Sequence, residues 1–168
     1  MKTEEFKKKF LSFHPKLYRI AFALTGSRED SEDLLQETYC KLWNQRDELE
    51  NIENPEAYCI TVLKHKCLDY LRSSQATRTE VEIESCFDLQ SGASPAKELE
   101  EKEKLKQVKK AIDMLPENQK QVVRLHSMAE CSYEEIEEIT GLSNNNIRTL
   151  LSRARKQIKD RIEKLYAP

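Results

Sequence analysis

Glycine and proline are scarce in this chain of 168 residues, with three of the first and five of the second. A collagen-like repeat or a turn-rich all-β chain needs far more of both, so long helices are expected. No apolar run approaches the ~18 residues that a membrane-crossing helix requires. The opening Met1-Lys2-Thr3-Glu4-Glu5 lacks the apolar stretch of a secretory signal. A cytoplasmic chain with no direct membrane insertion is therefore expected. The five cysteines, at 40, 59, 67, 86 and 131, are odd in number and include no Cys-x-x-Cys pair. Such usage fits reduced intracellular thiols better than a disulfide framework or a zinc site. Glycines for a phosphate-cradling loop are missing. The residues three before His14, His65 and His126 are Leu11, Val62 and Val123, so no Glu-x-x-His metal motif exists. Asp30, Glu32, Asp33 and Glu37 are dense, but a solvated start of a helix accounts for them. The chain is read as a non-enzyme, with no catalytic residue, no metal ligand and no cofactor.

Charge is plentiful, at 35% of residues, and unevenly spread. From Gly141 to Pro168, seven Lys and Arg face only Asp160 and Glu163, a local charge of +5. The total is −2, so the rest of the chain carries −7. A basic end on an acidic body is an electrostatic footprint for nucleic acid, although a solvated Lys/Arg-rich helix has the same composition.

Apolar residues recurring at three and four mark successive helices. The first stretch holds Phe6, Phe10, Phe13, Leu17, Ile20, Phe22 and Leu24, with Pro15 dividing a short leading helix from the main one. Gly26 stops it, and Ser27 or Asp30 caps a second helix reaching about Glu48. That helix carries Leu34, Leu35, Tyr39, Leu42 and Trp43 inward. Asn54-Pro55 opens a third helix, to about Leu71. It buries Ala57, Ile60, Leu63, Cys67, Leu68 and Leu71 and exposes Tyr58, Thr61, His65, Asp69 and Arg72. From Ser73 to Lys97 the period vanishes while Ser, Thr, Gln and acidic residues gather, which reads as a tether of ~25 residues. Val81, Ile83 and Phe87 are its apolar members.

A second helical group follows. Leu99 to Leu115 is one helix, and Pro116 begins another through about Met128. A capping box of Ser132 and Glu135 opens a short helix that stops at Gly141. Ser143 caps the last helix, with Ile147, Leu150, Leu151, Ala154, Ile158, Ile162 and Leu165 on one stripe. The fold class is all-α, two small helical domains at 1–74 and 98–168 joined by a flexible linker over 75–97.

Ser132 to about Ile158 thus runs short helix, glycine turn, longer basic helix. This is the helix-turn-helix order, in which the second helix enters the major groove. With Ile147, Leu150, Leu151 and Ala154 turned to the core, Asn145, Arg148, Thr149, Ser152 and Lys156 face outward. Asparagine suits adenine and arginine suits guanine as bidentate partners, while Arg153, Arg155 and Lys159 alongside suit phosphates. Position 146 is Asn rather than Glu, which leaves the entering end free of a carboxylate. A helical hairpin with a merely solvated basic face is the plainer alternative, and it leaves the joint order of turn, caps and side chains unexplained.

Leu115-Pro116-Glu117-Asn118-Gln119, Ser132-Tyr133-Glu134-Glu135-Ile136, Gly141-Leu142-Ser143 and the run from Ile147 to Arg155 resemble region 4 of bacterial sigma-70-type factors. The likeness is greatest to the extracytoplasmic-function (ECF) group. Independently, Leu17-Tyr18-Arg19-Ile20-Ala21, Leu24-Thr25-Gly26, the stretch from Glu32 to Tyr39 and Lys41-Leu42-Trp43 resemble region 2. So do Asn54-Pro55-Glu56-Ala57-Tyr58 and Leu68-Asp69-Tyr70-Leu71-Arg72. Both matches fall in the order of that group, with an unmatched stretch between them.

The resemblance implies a dissociable subunit that binds core RNA polymerase and directs promoter recognition at the −10 and −35 elements, promoter melting and transcription initiation. It implies that Asp33, Gln36, Glu37, Lys41 and Asn44, read as an acidic-polar stripe, meet the clamp helices of the largest catalytic polymerase subunit. It implies that Asn51, Asn54, Tyr58, Thr61, Lys64, His65 and Arg72 receive the −10 element as an unstacked strand. The −35 element falls to Asn144, Asn145, Arg148, Thr149, Ser152, Arg153, Arg155 and Lys156. An anti-sigma factor is the remaining partner implied, and no cofactor is. Two departures stand out. Many relatives follow the third helix with a run of arginines, whereas Arg72 here leads into Ser73-Ser74-Gln75-Ala76, which shifts weight to the −35 contact. Glu130-Cys131 stands where relatives often have Glu-Gly, so a turn needing positive φ there would strain Cys131.

Two other functions fit parts of the chain. A conventional helix-turn-helix regulator with an N-terminal sensor domain would bind a palindrome as a dimer, without polymerase. An all-helical interaction protein that has lost DNA binding is disfavoured by the intact Arg148, Ser152 and Arg155 face.

Overall fold

The computed structural model describes residues 1–73 and 95–167, of which 95–97 by backbone alone. Every regular element among them is helical, and the chain divides into two compact units, Met1–Glu82 and Ile83–Pro168. The expected all-α class is the one adopted. Most of the tether expected over 75–97, with Val81, Ile83, Cys86 and Phe87, lies outside the described residues. Its last three positions instead belong to a helix that begins at Pro95 rather than near Leu99.

In the first unit α1 (Thr3–Phe10) passes through a 3-10 turn (Leu11–Phe13) into α2 (His14–Thr25). Pro15 sits in the first turn of α2, where a missing N–H costs nothing. α2 ends at Gly26, whose φ of 71° is the left-handed conformation that a side chain opposes. Ser27 then accepts the Asp30 amide at 3.3 Å and starts α3 (Arg28–Asn44). Asn54 Oδ1 accepts the Ala57 amide at 3.1 Å and starts α4 (Pro55–Ser73). Phe10, Leu17, Ile20, Phe22, Leu42 and Leu63 are fully buried between these helices. Each such side chain contributes ~1.5–3 kcal/mol over an exposed one. The buried hydroxyls of Ser31 and Thr38 donate back to the carbonyls of Ser27 (2.6 Å) and Leu34 (2.7 Å), so no polar group is stranded there.

Two details depart from the expected periodicity. α3 stops at Asn44, short of Glu48, and residues 45–51 form turns that bury Leu49. The Lys9 ammonium donates to the carbonyls of Leu49 (3.1 Å) and Glu50 (2.6 Å), acceptors that a continued helix would have used itself. In α4 the buried stripe is Cys59, Ile60, Val62, Leu63 and Cys67, which leaves Ala57 exposed and Leu68 and Leu71 half-buried. Full burial of Val62 and Cys59 turns the helix away from the register that would bury Ala57.

The second unit contains α5 (Pro95–Asp113), α6 (Glu117–Val123), a π-helical turn (Arg124–Met128), α7 (Tyr133–Thr140) and α8 (Asn144–Leu165). Its core includes Leu125, Ile136, Ile139, Ile147 and Leu151, all nearly inaccessible. The helix expected to run unbroken to Met128 widens after Val123, with the Ala129 amide bonding to the Arg124 carbonyl and that of Cys131 to Leu125. Buried Arg124 donates to Asp113 at 3.0 Å, and this ion pair ties the widened turn to the end of α5. Burial outweighs Arg124 and holds the Asp113 carboxyl above its ordinary range. The positive φ expected to strain Cys131 falls one residue earlier, on exposed Glu130 (57°). Cys131 is buried. Leu165, expected on the core stripe, is 53% exposed, because burial along α8 fades from Ala154 through half-buried Ile158 and Ile162.

Candidate nucleic-acid interface

α8 is presented by two consecutive caps. Ser132 accepts the Glu135 amide and the Glu135 carboxylate accepts the Ser132 amide, each at 3.1 Å, which fixes the first turn of α7. Gly141 ends α7 with φ 77°; nothing lies within 4 Å of where its Cβ would be, so conformation rather than crowding asks for glycine. Ser143 then accepts the Asn146 amide at 3.2 Å. The first turn of α8 carries no acid, and its free amides and positive dipole end are open to a phosphate.

With Ile147, Leu150, Leu151 and Ala154 buried, Asn145, Thr149, Ser152 and Lys156 project from the opposite face, all exposed. Arg153 and Arg155, exposed on its two flanks, make no ion pair among the described residues, nor does Lys156. Thr149 spends its hydroxyl proton on the Asn145 carbonyl at 2.9 Å, leaving its oxygen lone pairs outward. Asn144 is only half-exposed, and its Oδ1 accepts Arg148 Nε at 2.6 Å. The Arg148 guanidinium leans over the Tyr133 ring of α7, 5.0 Å from its centroid. It therefore sits at the flank of the outward face, supported from two helices.

In the first unit, Asn54, Tyr58, Thr61, His65 and Arg72 fall along one side of α4 at helical spacing, with Asn51 exposed in the turns before it. Lys64 is half-buried and turns away from that line. Several of these groups already have partners. Tyr58, half-buried, donates its hydroxyl proton to Gln45 Oε1 at 2.9 Å, Thr61 bonds to the Ala57 carbonyl at 3.0 Å, and Asn54 serves as cap. His65 and Arg72 are exposed, Arg72 lying 4.0 Å from Asp69.

Asp33, Gln36, Glu37, Lys41 and Asn44 are all exposed and line one groove of about 710 Å³ with Cys40, Gln45 and Lys66. Lys66 reaches in from α4, 3.8 Å from Glu37. Two carboxylates thus face two ammonium groups, so the groove is charge-balanced rather than acidic. Lys66 escaped the sequence reading because nothing in the spacing of α4 says which neighbour it meets. The same holds for Tyr133, seen only as part of a capping motif, and for Lys9, which braces the turns carrying Asn51.

Cys59 and Cys67 are buried, and desolvation pushes both thiols up to about 12. Such thiols are inert. Burial, with a smaller push from Cys59, also raises Tyr39 to about 12; its hydroxyl meets His14 Nδ1 at 2.9 Å. Among the described residues, no group of three or more His, Cys, Asp or Glu is placed to hold a metal ion, and no helix is long and apolar enough to cross a membrane.

Comparison with known proteins places both units. Residues 10–77 match the family model for sigma-70 region 2, and residues 105–158 match that for sigma-70 region 4. The RNA polymerase sigma factor SigV of Bacillus subtilis is 28% identical over 147 residues, spanning 88% of this chain and 84% of its own. The ECF sigma factor SigM of the same organism is 28% identical over 145 residues, covering 85% and 86%. Among solved structures, the sigma factor RpoE of Bartonella quintana, in complex with the anti-sigma factor NepR, superposes with a TM-score of 0.66 at 27% identity. That match covers 96% of this chain and 98% of the other.

Proposed function

The chain belongs to the sigma-70 family, in its ECF group, and serves promoter recognition by RNA polymerase; from that premise we propose how its residues divide the work. α8 reads the −35 element, with Asn145, Thr149, Ser152 and Arg148 at base edges and Arg153, Arg155 and Lys156 on phosphates. Asn144 acts through Arg148 rather than on DNA directly. The face of α4 with Asn51, Asn54, Tyr58, Thr61, Lys64, His65 and Arg72 takes the unstacked −10 strand, His65 and Arg72 being its most accessible members. The groove of Asp33, Gln36, Glu37, Lys41 and Asn44 receives the polymerase clamp helices. Its balanced charge argues for a hydrogen-bonded, orientation-selecting contact more than for long-range steering.

The working division is 1–74 for polymerase and the −10 element and 98–168 for the −35 element, with 75–97 between them, the last three residues of which already belong to α5. The reading asks for no bond-making chemistry by this chain, which acts in the cytoplasm as a subunit. RpoE of Bartonella quintana is bound by an anti-sigma factor, and this chain is held inactive by a protein of the same kind.

The acid-free, serine-capped start of α8 beneath an exposed Asn/Arg/Thr/Ser face carries the reading. Run-off transcription from genomic fragments, with purified core polymerase plus this chain, tests it. Discrete promoter-dependent transcripts are expected, lost with Glu37→Lys and Lys41→Glu together through failure to bind core. Transcripts and core binding undiminished in that pair would remove the groove from the polymerase contact.

A further inference from the structure

Arg148 is held before any DNA arrives. Its Nε donates to Asn144 Oδ1 one turn earlier at 2.6 Å, and its guanidinium carbon lies over the Tyr133 ring, 5.0 Å from the centroid. The hydrogen bond uses Nε alone. The two terminal nitrogens, whose N–H groups form the fork that matches guanine O6 and N7, make no hydrogen bond or ion pair among the described residues. An exposed arginine ordinarily samples many rotamers and loses that freedom when it binds. Here much of that ordering is done in the free protein.

Tyr133 is itself fixed. It is the first residue of α7, directly after the reciprocal Ser132–Glu135 cap, and its other neighbour is the His126 ring at 5.3 Å. Burial, and then Arg155, hold that imidazole below its usual range, so a neutral ring rather than a second cation backs Tyr133. The support runs from the π-helical turn through α7 to α8.

We propose that Tyr133 and Asn144 are positioning residues that pre-set Arg148 as a guanine-reading fork at the −35 element. This rests on the reading of Arg148 as a base contact, and the experiment separates the two. Holoenzyme made with the full chain is assayed on a promoter found by run-off transcription and on variants in which each −35 base pair is replaced in turn. Arg148→Ala is expected to flatten the preference at one G·C pair by ~5-fold or more. Tyr133→Leu, which keeps apolar bulk but has no π face, is expected to lower the preference at that same pair by ~2–5-fold. Affinity for unrelated duplex should not change. Tyr133→Phe retains the ring and should restore full preference, whereas a merely packing role would let Leu serve as well as Phe. Asn144→Ala, which leaves α7 intact, gives a second reading at the same base pair. If Arg148→Ala flattens no position, the base-reading role of Arg148 fails and the proposal with it. If Arg148→Ala flattens one position while Tyr133→Leu and Asn144→Ala keep the wild-type preference there, base reading stands and the positioning role is overturned.

Discussion

Arg153, Arg155 and Lys156 offer a quantitative test of where the duplex lies. All three are exposed, on one stretch of α8, and none is paired with a carboxylate among the described residues. Lys159, by contrast, lies 3.9 Å from Glu163, so part of its charge is already answered. Each phosphate neutralised on B-DNA releases counterions and adds about 0.9 to the slope of log affinity against log salt. Replacing all three with Gln should therefore flatten the slope by ~2.7. Between 50 and 200 mM salt that amounts to ~40-fold, so the variant's disadvantage against wild type should be greatest at low salt and shrink by about that factor across the range. Lys159→Gln should change the slope by less than one of the three. Fluorescence anisotropy of holoenzyme on a labelled promoter duplex, titrated across this salt range, reads the slope directly. Glutamine at exposed helical sites leaves the fold intact, which circular dichroism checks. An unchanged slope would place these residues off the DNA and move the phosphate contacts elsewhere.

Two stability predictions follow from the cores and the titrating groups. Leu63→Ala empties a fully buried site in the first unit and should cost ~2–5 kcal/mol. Trp43, the one tryptophan, makes a T-shaped pair with Phe6 at 5.1 Å and has the Arg46 guanidinium over its ring at 4.2 Å, so its fluorescence during denaturant unfolding follows that unit. A loss below ~0.5 kcal/mol would mean that the site collapses without a cavity, contrary to the packing described. His126 titrates below its ordinary value when folded, so unfolding favours proton uptake. Its contribution is fully present above the unfolded value of 6.5 and is lost as pH falls from there toward the depressed folded value. Melting of the second unit should fall over that window, and His126→Asn should flatten the fall. Asp113, raised by burial, acts in the opposite sense at lower pH, above its unfolded 3.8, and so does not mimic the effect. An identical profile in His126→Asn would show that the imidazole is not the group responsible.

What could be read in advance divides by range along the chain. Gly26, Ser27, Asn54, Ser132 with Glu135, Gly141 and Ser143 each settle a helix end through one bond or one dihedral within three residues, and every one does so in the structure. The outward face of α8 was legible for the same reason, because residue spacing on a single helix decides it. What escaped depends on partners far away in sequence. α3 ends at Asn44 because Leu49 is drawn inward and Lys9 takes two carbonyls some forty residues on. The break after Val123 follows Arg124 to Asp113, eleven residues back, and the charge balance of the α3 groove comes from Lys66 on another helix. Arg148 shows both ranges in one side chain. Its exposure follows from the period of α8, while its orientation depends on an aromatic ring that the sequence offers only as the residue after a cap. A surface that recognises a helical partner or a base edge depends on side-chain direction to within an ångström or so, and that direction is set across elements. Faces can therefore be named from sequence alone, but the aim of each group on a face cannot.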